Sequence, residues 1–387
     1  MKKKLFLIAL LLVFVLISCG GDEEEDDWGN GGDAGDSGNN EENGGWESQE
    51  GQDYEILKTR GFSFIHSLAM GLDNVLYVGG KTMEDLYSDG LTETKKADAL
   101  LVAFSAKGKD LWGKQWDVYQ SDKDSIHKIV IDKQENIYVT GGYKPALFVM
   151  KFKSDGTKIW EQFPEFDDIY SLALDEEENV YVSYRYEIVK YSTDGKELQR
   201  YNISDEVQGI TGIYALTIDS KGNIYAGGYT SFSLFADNAG KTDAFLVKIA
   251  PDGTQLWGKQ WGGSGEDQVK TILLENNDDI FVALGMNVTS NSANEKTDFA
   301  LRISPDGDKL WEIDQQCYPA TICNNSHYCI DDNQIFKYDS KGECVGNYSA
   351  EYEEGDLNKI VCDSQENVYV SALHSTKIIK IPSSEIK

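Results

Sequence analysis

The sequence predicts an all-β fold, a seven-bladed β-propeller closed by an N-terminal strand that completes the last blade. Three observations predict it. One strand-and-turn pattern recurs seven times between Ser67 and the C-terminus. Its period is roughly 35–60 residues, which marks a ring or array of small sheets rather than two packed layers. Of 387 residues, 11% are aromatic and only 6 are proline, a balance that suits a chain made of strands. Finally, the last copy ends after its third strand, while an unmatched β segment, Glu55-Ile-Leu-Lys-Thr59, precedes the first copy. Pairing these two segments leaves no open sheet edge.

The N-terminal residues are not part of the ring. Lys2, Lys3 and Lys4 precede an apolar run from Leu5 to Ile17, followed by Ser18, Cys19 and Gly20. Such a run is too short to span a bilayer as a helix and has the length of a secretory h-region. The ending Leu16-Ile-Ser-Cys19 resembles the bacterial lipobox. That resemblance implies cleavage after residue 18 and lipidation of Cys19, which makes the protein exported and anchored to an outer membrane or cell surface. Residues 19–53 read as a solvated tether of Gly, Asn, Asp and Glu, in which Trp28 and Trp46 are the large apolar side chains. The propeller is expected over 54–387.

Charge excludes one class of partner. The net charge is −30. Between Gly20 and Asp53 lie 13 acids and no base, and from Tyr54 onward 53 acids face 33 bases. A surface of this sign repels phosphate backbones and anionic head groups, so no nucleic acid is expected, and the lipid is the expected membrane contact.

Within each copy the strands have fixed roles. Inner strands open near Ile65, Ile126, Ile169, Ile213, Val269, Ala320 and Leu357. Second strands centre on Tyr77, Tyr138, Tyr181, Tyr225, Phe281, Tyr328 and Tyr369. Third strands carry Lys151, Lys190, Lys248, Arg302, Lys337 and Lys380 at one register, with Ala103 in the first copy. Fourth strands open with Trp112, Trp160, Trp257 and Trp311, and Leu-Trp-Gly-Lys-Gln-Trp occurs at both 111–116 and 256–261. A residue present in every blade serves the blade, so these columns are structural, with lysine stems covering aromatic rings. The Asp-x-x-x-Asn corners, as at Asp132 and Asn136, are turn chemistry.

The fourth copy carries Gly222-Asn-Ile-Tyr225, Asp243-Ala-Phe-Leu-Val-Lys248, Pro251-Asp-Gly-Thr-Gln-Leu-Trp257 and Gly262-Gly-Ser-Gly265. These motifs resemble the SBBP β-propeller repeat family over most of residues 65–381. The resemblance implies the fold and no particular activity.

Symmetry-breaking positions are the candidate site. The residue after the opening apolar one is His66, His127, Tyr170, Tyr214, Lys270 or Asn358 in six copies. These side chains are expected to converge at the tunnel mouth, with Asp124, Asp167 and Asp267 just upstream, as a ligand-binding rim. The competing reading is a hydrated channel lining. His66, His127 and Asp124 lack the dense spacing of a metal motif, so neither metal nor cofactor is expected. Long excursions at 82–97, 230–242 and 288–297 fall on one face, and Phe232, Leu234 and Phe235 are its candidate contact residues for a protein or glycan. Folding back between blades is the alternative for these three.

Five cysteines lie between Cys317 and Cys362. Export makes disulfides the expected state, with Cys323 and Cys329 as the candidate pair across a hairpin. No Gly-x-Ser-x-Gly, His-Glu-x-x-His or phosphate loop is present. The expectation is therefore a monomeric, non-enzymatic binding platform. The alternatives are a scaffold lipoprotein of outer-membrane assembly, or a propeller that cleaves glycans.

Overall fold

The computed structural model describes residues 45–48, 54–59, 61–84, 86–87, 97–117, 124–142, 147–166, 168–203, 211–286, 299–331, 333–349, 356–372 and 375–387. The strands form six four-stranded antiparallel sheets and one five-stranded sheet. In chain order the blades span 64–116, 126–162, 171–202, 211–261, 267–313, 320–349 and 357–381. The first strand of each blade neighbours the first strand of the next, and that of blade 7 neighbours that of blade 1. The ring is closed.

Closure follows the expected route. Glu55–Lys58 pairs antiparallel with Lys377–Ile381, setting Ile56 opposite Ile379 and Leu57 opposite Ile378. Leu57 is buried against blade 1. Glu47–Ser48 then adds a fifth strand to the same sheet.

The core is distributed. Seven clusters of buried side chains occur, and each joins two neighbouring blades rather than filling one. A propeller blade is apolar on both faces, which is why second strands such as Ile224–Thr230 are buried along their whole length.

The columns read from the sequence lie in register. Tyr138 faces Lys151, Tyr181 faces Lys190, Tyr225 faces Lys248, Phe281 faces Arg302, Tyr328 faces Lys337 and Tyr369 faces Lys380. The Lys151 ammonium lies 4.7 Å from the Tyr138 ring centroid, and Lys248 is 4.8 Å from that of Tyr225. In blades 2, 3 and 4 the corner aspartate explains the base, whereas Lys337 meets Glu366 of blade 7 at 2.9 Å and Lys380 meets Glu55 at 3.2 Å. Asp132 accepts the backbone N–H groups of Gln134 and Asn136 and the hydroxyl of Tyr138, and Lys151 stands 3.7 Å away. Asp175 and Lys190 are 2.9 Å apart, Asp219 and Lys248 3.3 Å. Blade 1 lacks base and acid together: Ala103 holds the lysine position, and Gly71 donates to Val75 O where the aspartate turn would sit. Neither charge is buried alone.

The tryptophans tie each blade to the next. Nε1 of Trp112, Trp160, Trp257 and Trp311 donates to the carbonyl of Ser154, Thr193, Pro305 and Ser340 respectively. Blades 3, 6 and 7 lack this tryptophan and are completed otherwise. In blade 3, Tyr201 stacks on Tyr181 and its hydroxyl donates to Pro251 O. In blade 6, Gly346 is covered by the C-terminal residues, with Asn347 N–H bonded to Lys387 O and Ile386 buried. In blade 7, Glu55 faces Lys380 where other blades place tryptophan. The ring comes instead from Trp46, which meets Tyr369 edge-on at 5.4 Å and donates from Nε1 to Ala106 O. Gly108, at φ 76°, leaves room for it. Trp46 thus docks on the ring, although it falls within the 19–53 span expected to be a tether.

The cysteine pairing differs from the expected one. Cys323 and Cys329 are both oxidised, but their partners are Cys362 and Cys317. Cys323 and Cys329 lie on neighbouring strands, but Cys323 pairs in register with Ser326, and Cys329 with Ala320. The Cys323–Cys362 bond joins the inner strands of blades 6 and 7. Cys344 is free and exposed.

Candidate functional site

The inner strands build the tunnel mouth with a shared irregularity. The ladder between first and second strands slips across His66, His127, Tyr214, Lys270 and Asn358 in five blades. Each is the extra residue of a bulge, which leaves it without a ladder partner on the second strand and re-aims its side chain. A cavity of about 190 Å³ lies at the axis, and His66, His127, Tyr170, Tyr214 and Lys270 all line it. Five of the six rim candidates are therefore brought together.

The remaining candidates are not in the lining. Asn358 accepts from the Ser371 hydroxyl at 2.9 Å and is spent within its own blade. Asp267 is buried and accepts the Gly263 N–H at 2.6 Å, which holds the Gly262–Gly265 link as a turn. Asp124 is fully buried outside the cavity wall. Asp167 and Cys19 lie outside the described residues. Among the described residues no cluster of three metal-ligating side chains assembles.

Three lining residues were not legible as candidates. Lys128 and Lys359 each follow the bulge residue of their blade, where blades 1, 3, 4 and 5 carry Ser67, Ser171, Ala215 and Thr271. A second layer of the same column held that signal. Tyr318 enters from the link between blades 5 and 6.

The electrostatics of the lining are one-sided. Among the described residues no Asp or Glu contributes to it, although the chain carries 66 acids. Burial, then the nearby His127, Lys359 and Lys81, pushes His66 down to about 3, so its imidazole is neutral at pH 7. Burial lowers His127 as well, against a bond with the Ile169 backbone that raises it. Burial lowers Lys128, helped by Lys359, and lowers Lys359 by itself. The two histidine rings are 6.3 Å apart. On the other side Tyr170 and Tyr214 meet edge-on at 4.7 Å, and the Tyr170 hydroxyl donates to Asp168.

The loop-bearing face is built, not loose, where it is described. Connections between second and third strands emerge beside the links between blades, on the face where inner strands begin. The opposite face carries tight turns, such as Gly253 N–H to Ala250 O. The duplicated hexapeptide explains how long loops are held. Gln260 Oε1 accepts the N–H groups of Leu234 and Phe235, while its Nε2 donates to Phe232 O and Asp243. Gln115 does the same for Leu86, Tyr87, Glu84 and Asp98. Gly258 and Gly113 admit the rings of Phe235 and Tyr87, which a Cβ would strike within 2.4 Å. Phe235 packs toward Phe245 on its own blade, and Phe232 and Leu234 are half-buried. Phe235 thus folds back onto the ring as a loop anchor, the alternative reading for this residue.

No family model matches the sequence, and no curated protein matches it. Solved structures do. One titled as the mitotic checkpoint complex aligns with a TM-score of 0.60 and 10% identity, over 90% of this chain and 98% of that one. The Pan2 WD40 domain of Neurospora crassa aligns with a TM-score of 0.57 and 11% identity, over 82% and 89%. At this identity the likeness establishes the propeller fold and nothing chemical.

Proposed function

We propose that this protein is a non-enzymatic binding platform of the SBBP-repeat kind, exported and lipid-anchored at Cys19, which engages a protein or glycan through its loop-bearing face. The observation that carries the reading is the asymmetry of the two faces. One face is trimmed to hydrogen-bonded turns, while the other carries long loops with dedicated glutamine clamps. Ordering a twelve-residue loop costs conformational entropy that a mere connection would not require. The similarity to a propeller from a multiprotein complex supports a protein partner. Among the described residues no helix is long and apolar enough to cross a membrane.

The test is to replace 82–97 and 230–242 by short turns and compare crosslinked partners on intact cells. Loss of crosslinks with cooperative unfolding of the ring retained is the expected result. An unchanged crosslink pattern refutes the platform. Recovery of outer-membrane assembly subunits selects the scaffold alternative. Cys19→Ala should release the protein from the membrane fraction, and retention there refutes the anchor.

A further inference from the structure

We propose that the central cavity is a binding site for a small oxyanion, a carboxylate or phosphate group held by Lys128 and Lys359 with the rest of the molecule against the tyrosine side. This goes beyond the platform reading and does not rest on it. Three observations carry it.

The first is charge without a counter-charge. Lys128, Lys270 and Lys359 all line the cavity, and among the described residues no carboxylate does. Elsewhere in this ring a buried base has an acid within reach, as Lys151 has Asp132 and Arg302 has Glu275. Among the described residues no opposite charge acts on Lys128 or Lys359; Lys359 is instead a like charge felt by Lys128, His66 and His127. Enclosed bases of one sign call for an anion. The acidic exterior does not cancel this, because charges beyond the Debye length of about 8 Å are largely screened while enclosed ones are not.

The second is unused hydrogen-bonding capacity. His66 Nε2 is buried and has no partner. Its imidazole, neutral at pH 7, offers one further donor or acceptor beside the ammonium groups. Lys128 lines the cavity and is exposed there although protein surrounds it.

The third is the shape of the lining. The bases concentrate on blades 7, 1 and 2, with Lys270 alone on blade 5, while Tyr170, Tyr214 and Tyr318 come from blades 3, 4 and the link into 6. A cavity of about 190 Å³ with one cationic and one aromatic side fits a compact molecule with an anionic head. Being at the start of the inner strands, it opens toward the loop-bearing face.

The experiment titrates the purified full chain with inorganic phosphate and with benzoate at constant ionic strength, using chloride as the control. Melting temperature and isothermal calorimetry are the readouts. At least one of the two anions should raise the melting temperature saturably, whereas chloride should not. Lys128→Gln/Lys359→Gln should weaken that binding at least about tenfold, the loss expected when charged hydrogen bonds to the anion are removed. A response to phosphate alone assigns a phosphate group, and one to benzoate alone a carboxylate bearing an apolar ring. The proposal is overturned if neither anion gives a saturable response, or if the double variant keeps the wild-type affinity. Should that variant fail to fold, Lys359→Gln is titrated in its place, and less than about threefold weakening has the same meaning.

Discussion

Replacing Trp46 by alanine should destabilise the whole ring, although composition places that residue in a tether. Three contacts set the size of the effect. The edge-on contact with Tyr369 is worth about 1 kcal/mol. The hydrogen bond to Ala106 O adds about 1 kcal/mol. Lys380, 5.8 Å from the ring, adds about 0.5 kcal/mol. The sum is about 2.5 kcal/mol. At about 2.1 cal/mol/K of unfolding entropy per residue, a ring of this length has about 0.7 kcal/mol/K, so the melting temperature should fall by about 3–4 °C. Thermal unfolding followed by circular dichroism measures it. Glu47→Ala in the same short strand is the control. It removes an exposed pair with Lys58, with both side chains more than half exposed, and should shift the midpoint by less than about 1 °C. If Trp46→Ala melts within about 1 °C of the parent, the claim that residue 46 completes the tryptophan column is wrong.

Other outcomes follow from the same contacts. Peptide mapping without reduction should find Cys317 linked to Cys329 and Cys323 to Cys362, with Cys344 alkylated. The 39-residue separation makes the second bond worth about 4 kcal/mol by chain entropy, so Cys362→Ala should lower stability on that scale. Lys248→Ala leaves Asp219 buried without its base and should cost about 3–5 kcal/mol, whereas adding Asp219→Gly recreates the uncharged blade 1 arrangement and should recover at least about 2 kcal/mol. Additive losses in that cycle would refute the pairing argument. Burial pushes Glu275 up, but the bonds and charges of His327 and Arg302 outweigh it and hold the carboxyl below its ordinary value. A depressed acid contributes stability above its unfolded value near 4.5, lost as pH falls through the folded value. Arg302→Met should therefore move acid unfolding to higher pH, and an unmoved midpoint refutes the assignment.

Blade 5 shows how far repetition is readable. It changes the corner acid to Glu275, the corner amide to Asp279, the tyrosine to Phe281 and the lysine to Arg302, all at once. The longer acid and the forked base meet at 2.6 Å and need no tyrosine hydroxyl. The base and aromatic columns were visible in the chain because seven copies average away their exceptions. The fourth partner, His327 of blade 6, was not visible, because it reaches Glu275 across 52 positions. The rim was legible for a similar reason. The bulge recurs at one register, so His66, His127, Tyr214 and Lys270 could be aligned by counting, with Tyr170 at the equivalent place before the inner strand of blade 3. Asp267 stays out of the lining because a carboxylate beside a turn is claimed first by nearby N–H groups, here that of Gly263.

The chain by itself determined the all-β class, the number of blades and the closing segment, because each rests on local patterns of period two repeated at a fixed spacing. Only the tertiary structure decided which terminus fills which gap. Trp46 completes blade 7 and Ile386 covers blade 6 because closing the ring places both chain ends beside blades that lack their own tryptophan. The cysteine partners were likewise set by the approach of two inner strands at the axis, and the cationic lining by seven strands converging there. Convergence of residues some 60 to 290 positions apart leaves no trace in any one segment, since each lysine alone is an ordinary strand residue.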